Sequence, residues 1–255
     1  MLDFFNNLPI MLLSLPAVLF SLSIHEAAHG YVANRLGDPT ARNLGRLTLN
    51  PLKHINPFGF ISMLFFRVGW ANPVPINTRN FKNPRRDMAI SAAAGPISNL
   101  CLAVIFTILL RITLIAINSI SEGALTIIGN YYWIDESLQE NTLFLVLSLL
   151  AIMLYLGISL NINLMFFNLI PLPPLDGSRI AYIFLPTETY FKIMQYERYI
   201  MIGFLVIFAT GMLDKPLLFL NDGMTDILYS ITGMPENLLG VVLNELLNKL
   251  PQFTL

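Results

Sequence analysis

The fold is decided by an uncharged stretch of 35 residues, NTLFLVLSLLAIMLYLGISLNINLMFFNLIPLPPL, which runs from Asn141 to Leu175. A helix needs about 20 apolar residues to cross the hydrocarbon core of a bilayer, so this stretch is long enough to span a membrane. Charged residues make up 12 % of the 255 residues, and the mean hydropathy is +0.64. Because soluble domains hold about a quarter charged residues, this composition excludes most soluble enzymes and favours a membrane protein.

Three further uncharged stretches, at 4–24, 88–110 and 199–213, contain 21, 23 and 15 residues. We therefore expect an all-α polytopic membrane protein, a helical bundle of about four to six membrane segments. It would form a single domain over residues 1–255, with spans at about residues 6–35, 88–118, 141–168 and 196–213. The last span is short, and an interfacial or buried helix is the alternative for it.

The basic residues predict which side of the membrane each connection faces. Residues 35–86 hold nine of the fifteen Lys and Arg residues, whereas 121–140 hold none. Cytoplasmic connections are rich in Lys and Arg, so 36–87 and 177–198 are expected inside, and the amino terminus and 121–140 outside. The first apolar run follows no basic region and lacks a small-residue cleavage site, so it is expected to be a retained helix. The net charge of −1 gives no basic field for nucleic acid.

Residues 45–78 are too apolar for an ordinary loop. The turn signals Asn50-Pro51, Asn56-Pro57 and Asn72-Pro73 separate runs that are rich in aromatic and β-branched residues. This pattern predicts a small membrane-associated β-hairpin or a re-entrant loop in the interface. Near the other end of the chain, a weak apolar stripe predicts an amphipathic surface helix over residues 235–250.

The first apolar run leads into His25-Glu26-Ala27-Ala28-His29, which has the pattern H-E-x-x-H. Residues four apart lie on one face of a helix, so both imidazoles can reach a single metal ion. Glu26 follows the first ligand, where a carboxylate can act as general base toward a metal-activated water. An ordinary polar helix face is the alternative. Ionisable residues at membrane depth are costly and usually functional, which favours metal chemistry.

The third ligand has to come from elsewhere in the chain. Besides His25 and His29, the sequence contains only one histidine, His54, and one cysteine, Cys101. His54 lies in a turn of the basic loop, where a solvated side chain is expected, although a role near the site entrance stays open. Asp176 ends the longest uncharged run, just after three prolines, and is the best carboxylate candidate. A helix cap is the alternative for Asp176.

These motifs resemble those of the site-2 protease family of intramembrane zinc metalloproteases. The segment 25–29 matches the family's H-E-x-x-H, and 168–177 matches its N-x-x-P-x-x-x-L-D-G. The stretch 94–99 looks like the G-P-x-x-N element of many members, and 69–77 looks like a segment of compact bacterial and archaeal members. No stretch is long and polar enough for the PDZ or CBS domains that many members carry, so the resemblance is to the compact form.

The resemblance implies one Zn²⁺ per chain, bound by His25, His29 and Asp176, with Glu26 as the catalytic base. It implies cleavage of another protein within or near its transmembrane segment. Asn168 is implied to hold extended substrate or to stabilise the oxyanion, and Asn99 is a second candidate for such a polar role. Hydrogen bonding between helices is the alternative for both, and the favoured one for Asn99.

The expected partners are a transmembrane protein substrate and the lipid bilayer, but no nucleic acid. A strand edge in residues 60–77 is expected to capture the unwound substrate by β-addition. A homo-oligomer or a regulatory membrane partner stays open. The expected location is a prokaryotic cell membrane, crossed several times, with the active site toward the cytoplasm. The alternative function is a membrane zinc transporter or metal sensor, which would need polar residues on several spans.

Overall fold

A computed structural model of the chain describes residues 2–59, 62, 71–121, 125–128, 131–134, 141–235 and 239–240. This part of the chain is mostly helical. Three long helices dominate it: α1 (Leu2–Arg35), α3 (Pro84–Ser121) and α4 (Thr142–Leu169), with the short helix α2 (Thr40–Asn43) after α1.

Each long helix contains a segment that is long and apolar enough to cross a membrane: Ile10–Arg35, Pro84–Ile120 and Thr142–Leu169. At about 1.5 Å per residue, even the shortest of these is longer than a hydrocarbon core of about 30 Å. They coincide with three of the four predicted spans. The chain is therefore a membrane protein with three helices of spanning length in its described part.

Four shorter helices follow the third span: α5 (Asp176–Ala181), α6 (Thr187–Gln195), α7 (Glu197–Ala209) and α8 (Asp214–Thr232). The stretch predicted to form a fourth span, 196–213, yields the 13-residue helix α7. A helix of that length is about 20 Å long, shorter than the hydrocarbon core. The total number of membrane segments stays a prediction.

Along the chain, α3 and α4 are separated by a two-stranded antiparallel sheet, formed by β1 (Leu125–Ile128) and β2 (Tyr131–Ile134). Leu125 pairs with Ile134 and Ile128 pairs with Tyr131, so only Gly129 and Asn130 separate the strands. This hairpin was not among the elements predicted from the sequence. Its signal was present, because Gly-Asn between two β-branched or aromatic runs is typical of a two-residue hairpin connection.

The hairpin or re-entrant loop expected in 45–78 is described only at its base, where Ile55 and Ala71 form an antiparallel bridge. Residues 60–61 and 63–70 lie outside the described part of the chain, and so does most of the amphipathic segment expected at 235–250. Both stay predictions. Two short 3-10 turns, Pro51–Lys53 and Thr78–Asn80, begin after Asn50 and Asn77, whose side chains accept backbone N–H bonds.

The chain divides into two compact units. The first comprises Met1–Ala17, Ala103–Ser159 and Thr225–Leu255, and its core contains the almost fully buried side chains Leu110, Leu114, Ile117, Phe144 and Ile152. The second comprises Val18–Leu102 and Leu160–Met224 and contains all the predicted site residues. In its interior the buried Asn161 side chain donates to the Ser21 hydroxyl over 2.8 Å.

Candidate metal centre

The centre is built on the second half of α1. His25 and His29 lie on one face of the helix and are 6 % and 7 % exposed. Asp176 begins α5, after the turn that follows the third spanning helix, and its side chain is 12 % exposed. The structure thus brings together three side chains that the sequence predicts as ligands, although about 150 residues separate the motifs.

The ligand atoms of these three side chains converge. His25 Nε2 and His29 Nε2 lie 3.0 Å apart, and they lie 3.2 and 3.1 Å from Asp176 Oδ2. Within the described part of the chain, no other group of three or more His, Cys, Asp or Glu residues brings ligand atoms so close together.

The outer nitrogens of both imidazoles face acceptors on α3. His25 Nδ1 lies 3.2 Å from Asn99 Oδ1, and His29 Nδ1 lies 2.7 Å from the Ser91 carbonyl oxygen. The Ser91 carbonyl can only accept, so His29 Nδ1 carries a proton, and the Asn99 oxygen facing His25 favours the same tautomer there. In the neutral form of each ring, Nε2 presents a lone pair. Two such lone pairs and a carboxylate oxygen facing one another form an arrangement that a cation would stabilise.

This donor set fits zinc. Tetrahedral ligands at 2.0–2.1 Å from zinc are separated by about 3.3 Å, close to the three separations in the structure. Two His and one carboxylate are a known ligand set for catalytic zinc, which leaves the fourth position open. Acceptors that fix the outer nitrogen of each histidine are the usual outer shell of such sites. Ser91 was not predicted as part of the site, because its contribution is a backbone oxygen.

Helix α3 approaches the two imidazoles at Gly95. A Cβ added there would lie 2.4 Å from His29 Nε2 and 2.5 Å from His25 Cε1, so only glycine leaves room for both rings. Ser91, Gly95 and Asn99 follow one another at intervals of four residues and form one face of the helix. The G-P-x-x-N element thus supplies a flat backbone surface and one hydrogen-bond acceptor.

Asp176 is held in place by a close approach of the backbone at Gly177. A Cβ at Gly177 would lie 2.4 Å from the carbonyl oxygens of both Leu169 and Ile170, at the end of the third spanning helix. The sequence predicts Asp176 in a helix-breaking turn, and in the structure this turn packs directly on the end of that helix. No residue with a side chain can replace Gly177 without moving Asp176.

The remaining predicted residues have different surroundings. Glu26 is half-buried and accepts a hydrogen bond from the Val74 N–H over 2.7 Å. The Asn168 side chain donates to the Leu164 carbonyl oxygen of its own helix over 2.9 Å. Cys101 is exposed on α3.

The expectation of a solvated His54 is wrong. Its side chain is 1 % exposed, and its Nε2 lies 2.8 Å from the Thr48 carbonyl oxygen. His54 is buried because it closes the turn that begins at Pro51, where its backbone N–H bonds to the Pro51 carbonyl. It is not part of the metal cluster.

Comparison with known proteins shows the family to which the chain belongs. A family model described as peptidase family M50 matches residues 14–212, more than half of the chain. A Bacillus subtilis protein named "Putative zinc metalloprotease YwhC" is 39 % identical over 223 residues, covering 87 % of this chain and 92 % of that protein.

A Mycobacterium tuberculosis protein named "Putative zinc metalloprotease Rip2" is 25 % identical over 202 residues, covering 77 % of this chain and 66 % of that protein. No solved structure matches the chain significantly. The family model covers the H-E-x-x-H motif, and both the model and the match to the Bacillus relative extend across most of the chain. The chain therefore belongs to peptidase family M50, the site-2 protease family, and is a zinc metalloprotease.

Proposed function

We propose that this zinc metalloprotease hydrolyses a peptide bond within or near the transmembrane segment of another protein. His25, His29 and Asp176 would hold the zinc, and Glu26 would be the general base. The observation that carries the proposal is the convergence of three lone-pair donors within 3.2 Å of one another on a helix of spanning length. A peptide bond that reaches these donors must itself lie within or beside the membrane.

Zinc bound there would polarise the scissile carbonyl and lower the pKa of a water to about 7. Glu26 would take a proton from that water while the oxygen of the water bonds to the carbonyl carbon. Glu26 would then deliver the proton to the amide nitrogen as the carbon–nitrogen bond breaks, which gives a carboxylic acid and an amine. Transfer of the remaining acid proton to the amine leaves a carboxylate and an ammonium group at neutral pH. Asn99 and Ser91 would hold the imidazoles in the required tautomer.

The role of Asn168 and the side of the membrane are proposed from the position of the zinc site in the chain. Asn168 lies on the helix that leads to Asp176, and we propose that its side chain exchanges the Leu164 carbonyl for the backbone of an extended substrate. The excess of Lys and Arg in 35–86 supports a cytoplasmic position for the end of α1 that bears the zinc site. A multi-pass protein of a prokaryotic cell membrane is the matching location. Membership of a peptidase family decides against the transporter alternative.

The test is the Glu26→Gln variant, reconstituted in liposomes with single-span membrane proteins. We expect zinc content to match that of the wild type, and cleavage to fall by about 10²- to 10⁴-fold, as expected for loss of a general base. New termini are identified by mass spectrometry, and they should lie within or next to the spanning segment. The matched control is Glu188→Gln, an exposed glutamate at the start of α6. Wild-type cleavage by purified Glu26→Gln protein would refute the proposed mechanism.

A further inference from the structure

A segment without helix, residues 71–77, passes beside the zinc-site helix. Its Val74 N–H donates to Glu26 Oε2 over 2.7 Å, and the Val74 side chain is 7 % exposed. Val74 lies between Pro73 and Pro75, which have no N–H. The Val74 amide is therefore the only backbone donor in this part of the segment, and it is directed at the carboxylate of the proposed base.

The segment is anchored before Val74 by a network around Asn72. The Asn72 N–H donates to the His54 carbonyl over 2.7 Å, and its side-chain amide donates to the Ile55 carbonyl over 3.0 Å. The Asn72 side-chain oxygen accepts from Asn56 over 3.0 Å, and the Asn72 backbone carbonyl accepts from the Arg46 guanidinium over 2.7 Å. Both backbone and side-chain polar groups of Asn72 are thus engaged.

The segment is anchored after Val74 by a buried carboxylate. The Asn77 N–H donates to Asp38 Oδ2 over 2.7 Å, and the Asp38 side chain is fully buried. The other oxygen of Asp38 accepts from the Asn80 side chain over 2.7 Å and from Thr40. Asp38 lies three residues after the end of α1, so the segment is tied to the end of the helix that carries Glu26.

From these contacts we infer that the Val74 backbone N–H is a positioning group for the reaction, which holds the Glu26 carboxylate through Oε2 and leaves Oε1 for the proton transfer. The inference rests on the proposed role of Glu26. A hydrogen bond from N–H to a carboxylate restricts the rotation of a side chain that otherwise has several rotamers. Because the segment is anchored on both sides of Val74, the Val74 N–H has a fixed position. Its hydrogen bond therefore fixes the position of the Glu26 carboxylate as well.

The first measurement tests the contact by amide hydrogen exchange. Between Asn72 and Ile76 only positions 72, 74 and 76 carry an N–H, so mass spectrometry can resolve Val74. We expect Glu26→Ala to accelerate the exchange of Val74 by about tenfold or more. The Asn72 amide, which bonds to His54, should not change and serves as the internal control. Unchanged exchange at Val74 would overturn the inference.

The second measurement replaces the Val74 amide by an ester, by incorporating the hydroxy acid analogue of valine. The probe is a fluorescence-quenched peptide with a leucine-rich membrane-spanning helix. We expect kcat to fall by about 10- to 100-fold, the effect of one lost hydrogen bond to a charged group, with KM and zinc content unchanged. The matched control is the same ester at Ile76, whose N–H has no hydrogen-bond partner among the described residues.

The Glu26→Asp background separates positioning from a structural effect. An aspartate is too short to reach the Val74 N–H, so the ester should cause no further loss of kcat in that background. Equal kcat values for the esters at Val74 and Ile76 would overturn the inference. If Glu26→Gln is inactive in the same assay, the proposed function would still stand. Activity in Glu26→Gln would instead refute the proposed function itself.

Discussion

At the scale of the residue, Asn99 has a contact that decides between two roles. Its side-chain oxygen accepts from His25 Nδ1, whereas its Nδ2 is buried and has no partner among the described residues. In one role, the Asn99 oxygen holds the zinc ligand His25; in the other, the Asn99 nitrogen donates to a substrate. The observed contact favours the first role, because a histidine ligand needs its outer nitrogen fixed.

We therefore expect Asn99→Leu to weaken zinc affinity by about 10- to 100-fold, as is typical when an outer-shell partner of a zinc ligand is removed. Competition with a chelator measures this affinity directly. Asn99→Asp keeps an acceptor oxygen and serves as the matched variant, which should bind zinc more tightly than Asn99→Leu. A raised KM with unchanged zinc affinity in Asn99→Leu would assign Asn99 to the substrate instead.

Residues differ in how far the sequence alone predicts them. His25, Glu26 and His29 are predictable because their relation is local, one turn of a single helix. Asp176 is predictable because a charge at the end of a 35-residue uncharged run needs a reason.

The contacts of Ser91 and Gly95 are not predictable in this way, because they arise where α3 packs on α1. The hydrogen bonds between these helices join residues 62 and 74 positions apart in the chain. A backbone carbonyl carries no residue signature, and a glycine that leaves space for a ring looks like any other glycine in an apolar helix.

At the scale of the element, the turn that follows α1 depends on one ionised side chain. Burial alone raises the pKa of the Asp38 carboxyl, but the hydrogen bonds from Thr40, Asn80 and Asn77 outweigh it and hold that pKa below its usual value. A carboxyl whose pKa is lower in the folded chain stabilises the fold above the unfolded value of about 3.9. That contribution is lost as the pH falls through the folded value.

We expect wild type to unfold at a higher temperature than Asp38→Asn at neutral pH, because the variant keeps the shape but loses the charged acceptor. The difference should shrink as the pH falls below about 4 and the wild-type carboxyl takes up its proton. Thermal unfolding in detergent over this pH range provides the measurement. Asp222→Asn, at an exposed site on α8, is the control and should change the midpoint little. A difference that is constant with pH would show that Asp38 acts through shape rather than charge.

The hairpin β1–β2 and helix α7 show the limits of prediction at this scale. The hairpin has a recognisable turn signal, but the acidic residues that flank it fit a connection outside the membrane equally well and carry no signal of strand pairing. The stretch 199–213 has the composition of a span, but its 15 uncharged residues do not determine where the helix begins or ends. The observed helix begins at Glu197 and ends at Ala209.

At the scale of the whole molecule, the uneven distribution of charge predicts how the chain crosses the bilayer. The third spanning helix has 28 residues, about 42 Å at 1.5 Å per residue, so its ends extend beyond a core of about 30 Å. Leu143, 54 % exposed near its start, is therefore expected on the side of the membrane opposite to the basic connections. Leu52, 80 % exposed, lies in the basic segment 36–87.

These two sites allow the orientation to be measured in intact cells. Cys101, the only native cysteine, is first changed to serine, and single cysteines are introduced as Leu52→Cys and Leu143→Cys. We expect a membrane-impermeant maleimide to label position 143 in intact cells and position 52 only after the membrane is opened, because basic connections stay in the cytoplasm. Labelling of position 52 in intact cells would place the zinc-site end of α1 outside. The substrate bond would then have to be presented from that side, and the cytoplasmic assignment of the active site would be wrong.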